Sequence, residues 1–283
     1  MILFCGLTTI DLVHEVSELP EHGAKAVAQR ASIDVGGPAT NAARTASALG
    51  HNVRLASLVG DGPLALLARQ LLTDEGIDII DLADGGDPAV SSVAVTPDGE
   101  RTVISSNNAG RHGEPPSKSI LDGVSVLLVD GHLMKIQTAL ARSARERGIP
   151  VVLDAGSYRR GMRGLMATCS HVVTSSAFCF PDSQSTSGRD LCTEIAGLGA
   201  QLAGQTHGPA GIDVLINGQH EVIPVETPSA AVDTLGAGDV MHGALASAVA
   251  DGLEGADAVE FAARVATRSV MYPGALGWAR VAS

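Results

Sequence analysis

The sequence predicts an α/β fold with a mostly parallel sheet and a small β lid. Three observations carry that expectation. Short apolar runs such as Ile2 to Leu7 and Val124 to Val129 alternate with segments of helical length, the pattern of βαβ units whose strands are buried on both faces. Two glycine-rich turns, Gly36-Gly37 and Gly236-Ala237-Gly238, each lead into a helix rich in small residues. Short strand-like runs within residues 13–35 and 89–110 have few partners in such a core, which assigns them to the lid.

The length allows one large α/β domain with a small appendage, or two domains; the expectation is a single domain over residues 1–283, with the lid formed by about 13–35 and 89–110. Hydrophobic residues make up 45% of the chain but aromatics only 2%, with none between Cys5 and Ser157. The core must therefore be built from Ala, Val, Leu and Ile. A net charge of −12 argues against nucleic acid or an anionic membrane as partner. Cysteines 5, 169, 179 and 192 form no CxxC and no zinc spacing, which fits reduced thiols in a cytoplasm. Met1 to Cys5 lacks the basic residues of a signal peptide, and no apolar run approaches the ~18 residues that cross a bilayer. A soluble, cytoplasmic protein is expected.

In chain order, Ile2 to Leu7 reads as the first buried strand, with Asp11 expected at its carboxyl end, where doubly wound sheets bind ligands. Read alone, Asp11 is equally a solvated turn acid. Residues 13–35, broken by Pro20 and Gly23, fit short strands and turns. Gly36-Gly37-Pro38 then opens a helix through Asn41 that stops at Gly50. Its small residues suit either ligand approach or tight packing on the sheet. Val53–Val59 is a strand, Leu64–Leu72 a helix and Ile77–Leu82 a strand. Ser91–Thr96 and Thr102–Ser105 flank Pro97-Asp98-Gly99-Glu100 as a hairpin. Val124–Val129 is a strand ending at Asp130, Ile136–Arg147 an amphipathic helix, and Val151–Leu153 a strand ending at Asp154. Val172–Thr174 is a strand, and Leu191–Leu202 reads as a helix weakened by Gly197 and Gly199. Asp213–Ile216 and His220–Val225 pair around a type I′ turn at Asn217-Gly218. Buried helix from Val240 to Ala250 and a second helix from Ala256 to about Met271 complete the pattern.

The chemistry centres on Asp233-Thr234-Leu235-Gly236-Ala237-Gly238-Asp239. Small residues at a helix start let an anion approach free backbone N–H groups, where the helix dipole also favours negative charge. Asp239 sits where that anion would be attracted, a costly place for a carboxylate, which suggests a catalytic base. The plainer reading is a glycine turn with an ordinary first-turn acid.

Together, Gly36-Gly37-x-x-x-Asn41 and Asp233-Thr234-x-Gly236-Ala237-Gly238-Asp239 resemble the ribokinase or PfkB family of small-molecule kinases, over nearly the whole chain. The resemblance implies a three-layer αβα doubly wound sheet with a β lid, ATP with Mg²⁺, and a sugar as substrate. It implies Asp239 as the base, and Gly236, Ala237 and Gly238 as an anion hole for the transferring phosphoryl group. Asp11, Gly36, Gly37 and Asn41 would bind the acceptor. Asn108 and Arg111, in the expected lid, could hold an acidic substituent, or form a solvated lid edge. Thr206-His207-Gly208-Pro209-Ala210-Gly211 looks like the family's nucleotide-side loop, so Thr206, Gly208 and Gly211, with Ser175 and Gly274, would face ATP. Asp233, the Leu235 carbonyl, Ser269 and Gly274 would be candidates for a monovalent cation such as K⁺, and the lid edge for a homodimer contact. One departure stands out: Ser175-Ser176-Ala177-Phe178 replaces the Asn-x-x-Glu that the family associates with Mg²⁺, and Glu194 is a candidate substitute through water. Ketohexokinase-like members vary at this point too, which tilts the substrate towards a ketose. A nucleoside kinase and an inactive sugar sensor remain alternatives. The absence of aromatic stacking faces on the acceptor side weighs against the nucleoside.

Overall fold

The computed structural model describes residues 1–97, 101–185, 187–228 and 230–280. Its first half runs β1 (Ile2–Gly6), β2 (Thr9–Glu15), β3 (Arg30–Gly36), α1 (Pro38–Ala48), β4 (Val53–Ser57), α2 (Pro63–Asp74), β5 (Ile77–Asp81), β6 (Ala89–Val95) and β7 (Arg101–Ser105). The second half runs β8 (Val126–Val129), α3 (Met134–Glu146), β9 (Val151–Ala155), α4 (Met162–Met166), β10 (His171–Thr174), α5 (Gly188–Ala196), β11 (Leu202–Thr206), β12 (Ile212–Ile216) and β13 (Gln219–Ile223). Three helices close the chain: α6 (Ala237–Ala250), α7 (Gly255–Ser269) and α8 (Gly277–Arg280).

Nine strands form the main sheet in the order β13-β12-β11-β10-β9-β8-β1-β4-β5, parallel except for β12 and β13. Strand periodicity explains the two cores. Ile2 and Phe4 of β1 face α1, α2, α6 and α7, while Leu3 and Cys5 face α3, α4 and α5. The result is the expected three-layer αβα fold. The lid is a separate four-stranded sheet in the order β3-β2-β6-β7. Helix α6 is apolar all round because it lies between α1 and α7, and helices of that kind are buried.

Several expectations change. Asp11 is not at the end of β1, which stops at Gly6; it is the third residue of β2, inside the lid sheet. The helix expected over Leu191–Leu202 ends at Ala196, and Leu202–Thr206 is β11, a central strand. Gly197 and Gly199 break the helix, the latter with φ of +114°. Leu-Ala-Gly-Gln-Thr carries little strand signal of its own and is held by pairing with β10 and β12. The short helix α4 was not expected. Asn217 and Gly218 do take the positive φ of a type I′ turn, and β6 and β7 pair antiparallel as expected. Of the turn between those two strands, Asp98, Gly99 and Glu100 lie outside the described residues.

Arg44 of α1 is 2% exposed and braces the lid root. Its Nε and Nη2 donate to Glu75 at 2.6 Å each, and its Nη1 donates to Val35 O of β3 at 2.7 Å. A buried guanidinium is tolerated because it is bidentately paired.

Candidate active site

The parallel strands all end on one edge, and the functional side chains gather there. Leu7 N, just past β1, and Ala39 N in the first turn of α1 both donate to Asp130 Oδ2 (2.8 and 3.2 Å). Asp130 Oδ1 accepts from His132 N and Gln137 Nε2, so this buried carboxylate at the end of β8 fixes where α1 begins. Gly37 caps α1 with φ of +99°, and a Cβ there would lie 2.4 Å from Leu7 O. Glycine is required at that turn. One turn on, Asn41 Nδ2 donates to Asp239 Oδ2 at 2.8 Å.

Asp11 approaches from the lid. Thr9 Oγ1 donates to it at 2.7 Å, and a Cβ on Gly36 would overlap its Oδ2 at 2.0 Å. Burial pushes the Asp11 carboxyl above its ordinary range, against hydrogen bonds from Thr9 and Ser91.

Gly236 opens α6 in a left-handed conformation (φ +72°), packed so closely that a Cβ would sit 2.7 Å from Ala275 Cβ and 3.5 Å from Asn41 Nδ2. The two glycine turns therefore meet at Asn41. Val240 N donates to Gly236 O, and the N–H groups of the first turn ahead of it lack partners within the helix. Asp239, in that turn, is pushed up to about 7, chiefly by burial and then by the charge of Asp154; the Asn41 hydrogen bond and His242 oppose the shift. A half-buried carboxyl poised there can take a proton from a bound hydroxyl.

Of the expected nucleotide-side residues, Ser175, Thr206, Gly208 and Gly211 lie at or past the ends of β10 and β11, and Gly274 lies past α7. Ser175 Oγ donates to Gly156 O (2.6 Å) and Thr206 Oγ1 to Thr174 O (3.4 Å). The loop after β11 closes on itself through His207 N to Gly211 O and Gly211 N to Gly208 O. Asp233 gathers the cation candidates: Leu235 N donates to its Oδ1 and Gly274 N to its Oδ2, both at 2.8 Å. Val270 O, next to Ser269, accepts from Asp233 N at 3.1 Å, while Ser269 Oγ itself donates to Ala266 O within α7. Arg101 of the lid reaches the same turn, 3.8 Å from Asp233 Oδ1 and hydrogen-bonded to Thr234 Oγ1.

Glu194 is engaged elsewhere. Its Oε1 accepts from Arg163 and its Oε2 from Ser183 and Ser185. Among the described residues no group of three or more His, Cys, Asp or Glu side chains is placed to hold a metal. Arg111 Nη1 donates to Leu58 O (2.5 Å), but its Nη2 and both amide atoms of Asn108 are buried with no partner among the described residues. No helix among the described residues is long and apolar enough to cross a membrane.

Sequence reasoning passed over Asp130, Asp154 and His242 as site residues, although two of them mark strand ends and the third lies one turn past Asp239. Strand-end carboxylates in a parallel sheet were the signal available.

Residues 1–278 match the family model described as pfkB family carbohydrate kinase. The ATP-dependent ribose-1-phosphate kinase of Halopiger xanaduensis is 29% identical over 89% of this chain and 86% of its own. A protein of Agrobacterium tumefaciens of known crystal structure superposes with a TM-score of 0.87 at 24% identity, covering 98% of this chain and 93% of that one. The structure of Arabidopsis thaliana ribokinase complexed with ribose and ATP gives 0.78 at 20% identity, covering 98% and 94%. With nearly its whole length matched, the chain belongs to the pfkB family of carbohydrate kinases and is an ATP-dependent, ribokinase-like sugar kinase that phosphorylates an alcohol group.

Proposed function

We propose that the acceptor is a ketose or related sugar, as in the ketohexokinase-like branch, with Asp239 as the base. The observation that carries the site assignment is the 2.8 Å contact between Asn41 and Asp239, which joins two glycine motifs 198 residues apart. Asp11, Gly36, Gly37 and Asn41 hold the sugar hydroxyls, accepting from and donating to neighbouring ones. Asp239 takes the proton of the attacking hydroxyl as its oxygen bonds to the γ-phosphorus and the bond to the ADP oxygen breaks. The N–H groups of Gly236, Ala237 and Gly238 receive the charge that develops. ATP lies along Ser175, Thr206, Gly208, Gly211 and Gly274. Mg²⁺ bound with the nucleotide would supply neutralisation of phosphate charge; we assign it no protein ligand, since Glu194 is already engaged. K⁺ is assigned to the turn gathered by Asp233, with Leu235, Ser269 and Gly274. The lid closes over the sugar and excludes water. Exposed Ile33, Val103 and Ile104 on its strands favour a homodimer through the lid. Four free cysteines are consistent with a cytoplasmic setting.

A second reading narrows the sugar to one that bears an anionic group. Arg111 Nη2 and the Asn108 amide are buried without partners among the described residues, and buried donors seek acceptors. The Halopiger relative, named for ribose-1-phosphate, fits that reading.

The test is ADP release with Mg²⁺ and ATP across ketoses, aldoses, sugar phosphates and nucleosides, with and without K⁺, beside Asp239→Asn. Turnover on a ketose, stimulated by K⁺ and lost in Asp239→Asn, is expected. Turnover on sugar phosphates alone selects the second reading, and turnover on nucleosides alone overturns both. Sugar binding without turnover makes the protein a sensor.

A further inference from the structure

His242 is one turn past Asp239 on α6, 4% exposed, and its ring meets oxygen on both sides. Nδ1 lies 2.7 Å from Gly238 O and 3.4 Å from Asp154 Oδ2, and Nε2 lies 3.1 Å from Val173 O. A carbonyl oxygen only accepts, so each ring nitrogen must donate. Each of the two bonds uses its ring nitrogen as donor, and the carboxyl group of Asp154, which burial pushes above its ordinary range, faces Nδ1. Asp154, 6% exposed at the end of β9, has His242 as the ion-pair partner within 4 Å among the described residues. The imidazole thus ties the Gly238 carbonyl, in the turn assigned as the anion hole, to β10, and brings the Asp154 carboxyl beside the proposed base.

We propose that His242 and Asp154 are positioning residues for phosphoryl transfer, holding the Gly236–Asp239 turn against the ends of β9 and β10 and supplying the local charge under which Asp239 works. A buried histidine needed only for packing would meet one acceptor with one donor and would not require a carboxylate. The proposal rests on the reading of Asp239 as base. The charges around Asp239 come from every neighbouring element: His242 on α6, Asp154 at the end of β9, and Asp130 at the end of β8. His132, whose Nε2 lies 2.8 Å from Arg159 Nη2, and Arg159 itself also act on Asp154. Asp154 raises Asp239 and His242 lowers it, so removing each should act in opposite directions.

The experiment is the pH profile of kcat/KM for Asp154→Asn, His242→Gln and the double variant, with Asp239→Asn alongside. The acidic limb, set by the base, is expected to move down by about one pH unit in Asp154→Asn and up by about one in His242→Gln. The double variant should return it towards wild type, with kcat lowered and KM for sugar little changed. Limbs that stay in place, or move the same way in both single variants, overturn the proposal. If Asp154→Asn does not fold, Asp154→Glu serves in its place: a limb left in place beside a shifted His242→Gln supports a charge role, and a limb moved as in His242→Gln overturns it. Asp239→Asn separates the two levels. Wild-type turnover in that variant sinks the base assignment itself, whereas a dead Asp239→Asn beside unmoved limbs sinks only this inference.

Discussion

The proposed acceptor side and the proposed nucleotide side lie on the same sheet edge but are built differently. Around Asp239 the polar groups point at one another across long stretches of chain: Asn41 to Asp239, His242 to Asp154, Asp130 to the start of α1. Around β10 and β11 they point into the backbone, as with Ser175 on Gly156 O and Thr206 on Thr174 O. Carboxyls kept off their ordinary titration range by burial belong to the first region, which supports the proposal that the proton transfer takes place there. The second offers mostly main chain, which suits a phosphate chain bound without discrimination by side chains.

The sharpest break of that contrast is Asp239→Asn, which keeps shape and an acceptor for Asn41 but removes the proposed base. We expect kcat to fall by about 10²–10⁴-fold, the range of general base catalysis, with sugar affinity retained. Stability should move the other way. Asp239 titrates near 7 in the folded protein against 3.8 in its ordinary state, so the folded form holds the proton more tightly. That contribution is present in full below about pH 4, is lost as pH rises towards 7, and is absent above it. Asp239→Asn should therefore melt above wild type at pH 8, and the advantage should vanish at pH 4. An equal melting temperature at both pH values would detach Asp239 from its burial.

A packing change should break the same region without touching chemistry. Gly243 of α6 faces α1, where a Cβ would lie 2.4 Å from Ala42 O and 2.9 Å from Thr45 Cβ. Backbone cannot give way there, so Gly243→Val should destabilise by about 1–3 kcal/mol or separate the helices. If the Asn41–Asp239 contact depends on that approach, activity falls along with stability in denaturant titration and rate assays. Activity retained at lowered stability would mean that the turn holds itself.

The pH dependence of the wild type comes next in size. A base near 7 predicts that kcat/KM falls about tenfold for each pH unit below that value, because protonated Asp239 cannot accept. A profile flat to pH 5 would contradict it.

How much of this contrast was legible follows from how each region is encoded. Asp239, the Gly236–Gly238 turn and Asn41 sit in contiguous motifs whose glycines have a physical reason at the level of sequence. The strand β11 was not legible, because Leu202–Thr206 holds its place by pairing on both sides and not by propensity. Nor was the His242–Asp154 pair, since nothing local to either residue announces a partner 88 positions away; only the packing of α6 over β9 brings them together. The sequence places Asp11 in the wrong element, because β1 stops at Gly6 and the chain crosses directly into the lid. Arg44 reads as one polar residue in a helix of small ones, and its buried pairing with Glu75 depends on where α2 ends.

The smallest expected effect tests the nucleotide side from within. Glu194 is the carboxylate that the sequence offers in place of the missing Asn-x-x-Glu, so a role with Mg²⁺ would make Glu194→Gln severely damaging. Its oxygens instead accept from Arg163, Ser183 and Ser185, which makes it a clamp on residues 182–185. Gln keeps one acceptor oxygen and loses the charge, so the expected loss is about 0.5–1.5 kcal/mol of stability. The Mg²⁺ dependence of the rate should stay as in wild type. A shift of the Mg²⁺ midpoint by tenfold or so, about 1.4 kcal/mol of metal affinity, would return Glu194 to the reaction and erase the distinction between the two sides.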